Sequence, residues 1–330
     1  MRPLLRQLSP AAGARILGLG SRQPELIVTN ADIAARGVDT TDEWIRARVG
    51  IVERRIARPD QSVVDMAVDA GSKALADAGL APADIDAVLV ATCTMPAYIP
   101  NAAAQTADRI GVQAAPAFDI NAACAGFCYG LGTASDMIRA GSARHVLVIG
   151  AEKLSDWVDP QDRSTCIIFA DGAGAAVVGP VDPDERPGIG PIAAGSAGDL
   201  VEAIVVADRN SFIRQEGQEV YRWAITQIAP VALRALELAG VRPADVDVLV
   251  PHQANLRIVE AIAKRMRSAG AREDMVVADD IVHSGNTSSA SIPLALDHMR
   301  AEGRVRSGNL ALLVGFGAGL SYAGQAVVLP

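Results

Sequence analysis

"KALADAGLAPADIDAVLVAT" (residues 73–92) recurs as "RALELAGVRPADVDVLVPH" (residues 234–252). Each copy reads as a helix stopped by a glycine, Gly79 or Gly240, then a proline turn, then a short apolar strand. Asp84 and Asp245 hold the same place in the two copies, 161 positions apart. A second pair, "SARHVLVIG" (142–150) and "SGNLALLVG" (307–315), is offset by 165 positions at its final glycines. Offsets near half of a 330-residue chain imply an internal duplication. Strands alternating with helices in each copy then predict two α/β halves related by a pseudo-twofold axis around a shared core. The Pro-, Gly- and charge-rich "GPVDPDERPGIGP" (179–191) marks the seam. The expected division is an N-terminal arm over 1–14, a first half over 15–182 and a second half over 183–330.

Half of the residues are hydrophobic but only 4% are aromatic, so Ala, Val, Leu and Gly must fill the core. A net charge of −8 argues against nucleic acid or anionic membrane as a partner. Cys93, Cys124, Cys128 and Cys166 lack paired metal-ligand spacing, and a chain of this length needs no disulfides, so no metal and a reducing cytoplasm are expected. The first residues carry arginines without a continuous apolar segment, which implies no export. Residues 310–330 are uncharged and long enough for a membrane tail, but glycines at 315, 317, 319 and 324 break them into two strand-like pieces around a turn.

"DINAACAGFCYGLGTASDMIRAG" (119–141) places Cys124 between a short apolar run, read as a buried strand, and the first turn of a helix. Unpaired N–H groups and the helix dipole would there favour a thiolate, whereas a merely structural cysteine would only pack. Through the duplication, His252 follows one strand and precedes a helix, and Asn286 precedes the helix whose first-half counterpart starts at Cys124. Three strand-to-helix junctions are thus expected to converge, since ligands of α/β folds bind at the C-terminal ends of strands. "DGAGAAVVGP" (171–180) imitates a phosphate loop, but its glycines lead into a β-branched run and read as close strand packing. His283, beside "SGNTS", is read as a loop histidine serving packing or solvent rather than as a second base, and His145 and His298 carry no motif.

"NAACAGFCYGL", "VPHQANLRIVEAIAKRM", "GNTSSASIP" and "GFGAGLSYAG", with "VTNADI" and "TTDEWIRARVGIVERRIA" near the start, resemble β-ketoacyl-acyl-carrier-protein (ACP) synthase III of the thiolase superfamily. The likeness runs from about Arg15 to Pro330 and is close to the actinobacterial branch, whose members prime fatty acids or aromatic polyketides. It implies a thiolase-like fold, two duplicated halves in αβαβα layers, a homodimer, and no cofactor beyond the substrates acyl-CoA and malonyl-ACP. Cys124 would take the acyl group from CoA. Malonyl-ACP would then lose carbon dioxide, and its enolate would attack the acyl-enzyme. His252 Nε2–H and the Asn286 amide suit this chemistry as neutral donors to the enolate oxygen.

The same resemblance assigns the remaining site residues. The backbone N–H groups of Cys124 and Ala318 would form an oxyanion hole for the acyl carbonyl. Trp44 and Arg163 would flank the adenine of CoA, Arg48 would meet its phosphates and Asn255 its pantetheine. Val49 departs from the threonine common at its position. Ile99, Phe169 and Phe316 would bound the acyl pocket, Ile99 reaching into the partner of the homodimer. Some acetyl-specific members have Phe where Ile99 stands, so a starter larger than acetyl is expected. Arg222, Arg257, Lys264 and Arg265 would dock the carrier protein, although Glu260 interrupts the patch. The alternatives are a thiolase-fold acyltransferase that hands its acyl group to an alcohol or amine, a papain-like hydrolase, and a non-catalytic acyl binder. Asn286 favours condensation, and the papain-type cysteine signature is absent.

Overall fold

The computed structural model describes residues 11–182 and 184–330. The first ten residues of the expected arm lie outside them. Ala14, assigned to that arm, is instead the buried first residue of a strand.

The repeated segments fold by one set of local instructions used twice. Helix Val63–Ala78 begins at a Ser62 capping box and stops at Gly79, whose φ of +66° favours glycine. Helix Gly217–Ala239 stops at Gly240 with φ of +70°. In the turns that follow, the Asp84 carboxylate accepts the Ala81 N–H at 2.8 Å and the Asp245 carboxylate accepts the Arg242 N–H at 2.9 Å. Strands Ala87–Ala91 and Val248–Pro251 come next, both fully buried.

Two five-stranded sheets result. The first runs Ala117–Ile120, Ala87–Ala91, Val146–Lys153, Asp171–Pro180, Ala14–Arg22. The second runs Val276–Val277, Val248–Pro251, Leu310–Gly317, Ser321–Val328, Ala193–Ser196. Strand for strand the order is the same, and so is the sense, with two parallel pairings followed by two antiparallel ones in each sheet. Helices Gly126–Arg139 and Ser291–Ala301 lie between the sheets, where Phe127, Leu131, Ile292 and Leu296 join Leu89, Val148, Val250 and Leu313 in one core. Helices Val63–Ala78 and Ala102–Ile110 cover the outer face of the first sheet. Gly217–Ala239 and Leu256–Ser268 cover that of the second. These are the five expected layers.

The final glycines of the second repeated pair acquire a purpose here. A Cβ on Gly150 would stand 2.4 Å from the Ser289 carbonyl oxygen, and one on Gly315 would stand 2.9 Å from Ala125 Cα. Each glycine therefore makes room for the turn that opens the opposite half's central helix. The uncharged C-terminus is an antiparallel hairpin around the turn Ala318–Leu320, and no helix among the described residues is long and apolar enough to cross a membrane. Strand Ala117–Ile120 differs from the expectation of burial. It is the edge of its sheet, with Phe118 39% exposed, because only one of its sides meets a neighbour.

Candidate active site

Cys124 lies in the short turn Ala123–Ala125 just ahead of the central helix Gly126–Arg139. Ala123 has φ of +45°, a conformation non-glycine residues rarely adopt, and it throws the next residue toward the other half. Gly317 receives it: a Cβ at Gly317 would fall 2.7 Å from Cys124 Cβ and 2.9 Å from its sulfur. Cys124 and Ala318 are early residues of their turns, whose N–H groups have no partner within the turn. The Cys124 N–H pulls on its own sulfur. The expectation of a free thiolate does not hold. Burial pushes the thiol up to about 12, with a Glu152 charge adding to it, against the pull of that N–H and the neighbouring Ser288 hydroxyl.

His252 follows strand Val248–Pro251, and its N–H donates to the Val314 carbonyl at 2.8 Å. The ring packs edge-on against Phe316 with centroids 5.3 Å apart. Burial holds its pKa down at about 3, so the imidazole is neutral. Ser291 Oγ sits 2.7 Å from His252 Nδ1 and accepts the Gln253 N–H at 3.3 Å. A serine proton donated to Nδ1 places the imidazole proton on Nε2.

Asn286 is not at a simple strand-to-helix junction. It follows the one-turn helix Ile281–Ser284 and pairs with Phe169 in an isolated bridge, donating its N–H to the Ile168 carbonyl at 2.9 Å. The Ser288 N–H donates to Asn286 Oδ1 at 2.9 Å, which turns the amide nitrogen away from the loop. Ser288, with φ of +50°, is the 165-residue counterpart of Ala123, so both halves kink at the same place.

Cys124, His252 and Asn286 line one cavity of about 90 Å³, together with Phe169, Phe316, Ala318 and Cys93. Leu154, Ile204, Ile213 and Val220 supply its apolar wall. It opens into an outer chamber of about 580 Å³, and Gln215, Tyr221 and Asn255 line both. Trp44, Arg48, Val49, Arg163, Arg222 and Arg257 surround the chamber. Arg163 Cζ lies 4.8 Å from the Trp44 ring centroid while its Nη1 donates to the Asp39 carbonyl at 2.7 Å. That is direct cation–π contact, so a base enters between them only if one plane moves. Asn255 Oδ1 caps helix Leu256–Ser268 through the Arg257 N–H at 2.9 Å, and its Nδ2 donates to the Arg48 carbonyl at 3.3 Å. Lys264 and Arg265 are exposed further along that helix and do not reach the chamber. Ile99 is also outside this chain's own cavity, 85% exposed on the loop before helix Ala102–Ile110.

The chain as a whole is similar to known proteins. The family model for 3-oxoacyl-[acyl-carrier-protein (ACP)] synthase III matches residues 118–198, and the model for its C-terminal part matches residues 236–329. The chain is 51% identical over 318 residues to a β-ketoacyl-[acyl-carrier-protein] synthase III of Streptomyces coelicolor, covering 96% of this chain and 99% of that one. The chain belongs to the 3-oxoacyl-ACP synthase III family. A mycobacterial synthase III from Mycobacterium avium is 47% identical over 342 residues, covering 99% of each chain. Among solved structures, the priming β-ketosynthase from the R1128 polyketide biosynthetic pathway superposes with a TM-score of 0.93 at 43% identity, over 99% of both chains.

Three residues packed around this cavity escape a reading of the sequence. Ser291 and Ser288 stand in a run of small polar residues with no spacing to distinguish them. Glu152 is the third. It is the penultimate residue of strand Val146–Lys153 and is wholly buried, and a lone acid closing an apolar run was its one visible signal.

Proposed function

We infer that this chain is a condensing β-ketoacyl-ACP synthase III that starts fatty-acid or polyketide chains, with Cys124, His252 and Asn286 as its catalytic residues. The observation that carries the reading is the single cavity joining those three side chains, at the inner end of a chamber lined by Trp44, Arg48 and Arg163. In the first stage the Cys124 sulfur attacks the acyl-CoA carbonyl, and CoA leaves as the thiol with the proton that Cys124 gives up. The N–H groups of Cys124 and Ala318 take the developing oxyanion. In the second stage the malonyl thioester of ACP loses carbon dioxide. His252 Nε2–H and the Asn286 amide hold the charge on its oxygen, and both donors are neutral, so neither is consumed as an acid. The enolate carbon attacks the acyl-cysteine, β-ketoacyl-ACP departs, and the thiolate takes up a proton.

Trp44, Arg48, Arg163 and Asn255 serve CoA in this reading, and Arg222, Arg257, Lys264 and Arg265 the carrier protein. Phe169 and Phe316 bound the acyl group, and the exposed Ile99 enters the pocket of the second subunit of a cytoplasmic homodimer, each chain built from two halves that divide near residue 182, the first taking in Ala14. A starter larger than acetyl follows from the small side chain at 99. The test is a panel of acetyl-, isobutyryl- and hexanoyl-CoA with malonyl-ACP, following the Cys124 adduct by intact mass and carbon dioxide release. Asn286→Ala keeps the adduct and lowers carbon dioxide release by about 10²–10³. An adduct that passes to an alcohol or amine without carbon dioxide release would sink the condensing reading, and a strong acetyl preference would sink the starter assignment.

A further inference from the structure

One buried acid takes no part in the steps above. Glu152 is fully excluded from solvent, and its hydrogen-bonding partners among the described residues are all neutral. The adjacent Lys153 turns away to Asp156 at 3.2 Å and the Pro59 carbonyl at 3.5 Å. An ionised carboxylate so placed would be buried without a cation, which proteins avoid by leaving the group protonated. The hydrogen count agrees. Ser289 Oγ lies 2.8 Å from both the Ala91 carbonyl oxygen and Glu152 Oε1, yet a hydroxyl has one proton to give. Both contacts become hydrogen bonds when Glu152 carries a proton and donates it to Ser289, which then donates to Ala91. Glu152 Oε2 meanwhile accepts the Cys93 N–H at 3.1 Å and the Thr94 hydroxyl at 2.6 Å.

The duplication explains the location. At the 165-residue offset Glu152 corresponds to Gly317, and Ser288–Ser289 to Ala123–Cys124. Gly317 keeps the space beside the Cys124 sulfur open. Glu152 fills the mirror-image space beside Ser289, and Ser288 Oγ donates to it at 3.1 Å. The same Ser288 holds Asn286 Oδ1 through its backbone N–H, from a left-handed conformation that needs an anchor.

We propose that Glu152 is a positioning residue, held as a neutral acid, which plugs the mirror-image site and locks the Ser288–Ser289 turn so that Asn286 aims its amide N–H at the substrate. This rests on the role given to Asn286 above. A neutral Glu152 also spares Cys124 a negative neighbour, since a charge there raises the thiol.

Glu152→Gln preserves the acceptor toward Cys93 and the donor toward Ser289, whereas Glu152→Ala empties the plug. Glu152→Gln is expected to keep Cys124 acylation and carbon dioxide release within about threefold of wild type. Glu152→Ala is expected to lower carbon dioxide release from malonyl-ACP more than about tenfold, with acylation by acyl-CoA within about threefold. The infrared band of a protonated carboxyl should be present at neutral pH in the wild type and missing from Glu152→Gln. The proposal is overturned if Glu152→Gln is as impaired as Glu152→Ala, if the band is absent, or if Glu152→Ala slows both half-reactions alike. Should Glu152→Ala fail to fold, Ser289→Ala must show the same split, and unchanged carbon dioxide release there overturns it. Asn286→Ala separates the two levels. Full carbon dioxide release in that variant removes the site assignment and this proposal together, whereas its loss alongside an unimpaired Glu152→Ala removes this proposal alone.

Discussion

Replacing Gly317 with alanine would put a methyl carbon 2.7 Å from Cys124 Cβ and 2.9 Å from both its nitrogen and its sulfur. The backbone at 317, with φ of −178°, is extended and accepts alanine, so the whole cost is contact. Ordinary contact begins near 3.4 Å, which leaves the methyl some 0.7 Å too close. Strand Leu310–Gly317 is hydrogen-bonded on both sides, so the short turn carrying Cys124 yields instead. A displacement approaching 1 Å at a reacting atom costs on the order of 100-fold, or about 2.7 kcal/mol of barrier. Overpacking removes about 1–3 kcal/mol of folding stability, a few degrees of Tm in a chain of this size. The assay is the rate of acyl-adduct formation on Cys124 at saturating acyl-CoA, by quenched-flow intact mass, with Tm measured in parallel. The expected result is adduct formation about 100-fold slower in a folded protein. A folded Gly317→Ala that acylates at the wild-type rate would refute the reasoning. Gly150→Ala is the internal comparison: its methyl strikes the Ser289 carbonyl instead, so carbon dioxide release should fall while acylation persists.

Ser291→Ala removes the partner of His252 Nδ1 and frees the tautomer, so carbon dioxide release should drop about tenfold or more while the Cys124 adduct still forms. Arg163→Ala removes the cation beside Trp44 and should raise KM for acyl-CoA about fivefold or more with kcat little changed, measured by initial rates over an acyl-CoA series. For stability, His252 is held near 3 in the native state against 6.5 when free, so the unfolded chain binds its proton first and stability falls as pH drops below 6.5. His252→Gln should lose less stability than wild type between pH 6 and 4, by up to about 1.4 kcal/mol per pH unit in denaturant titrations. Asp171 has the opposite sign. Burial raises it from 3.8 to about 6, so its contribution is lost as pH rises across that range, and Asp171→Asn should remove that loss.

The fold was legible because its instructions are local and occur twice. A capped helix, a glycine stop, a proline turn with its aspartate and an apolar strand each depend on neighbours within a few positions, and repetition at offsets of 161 and 165 doubled the signal. That Cys124, His252 and Asn286 would meet in one cavity was legible too, as residue types within motifs. Ser291, Ser288 and Glu152 were not, because their roles depend on which loops meet after the two halves close. Glu152 and Ser289 are 137 positions apart in sequence and 2.8 Å apart in space.

By itself, then, the order of amino acids determined the element sequence, the duplication and the candidates for nucleophile and donors. Tertiary packing decided the protonation of the site: it raised the Cys124 thiol where the helix terminus alone would have lowered it, kept His252 neutral, and left Ile99 outside the chain's own cavity. The physical reason is that desolvation depends on everything surrounding a group, and these side chains are enclosed by segments far apart in sequence, as Cys124 is by Gly317 of the opposite half and His252 by Ser291 and Phe316.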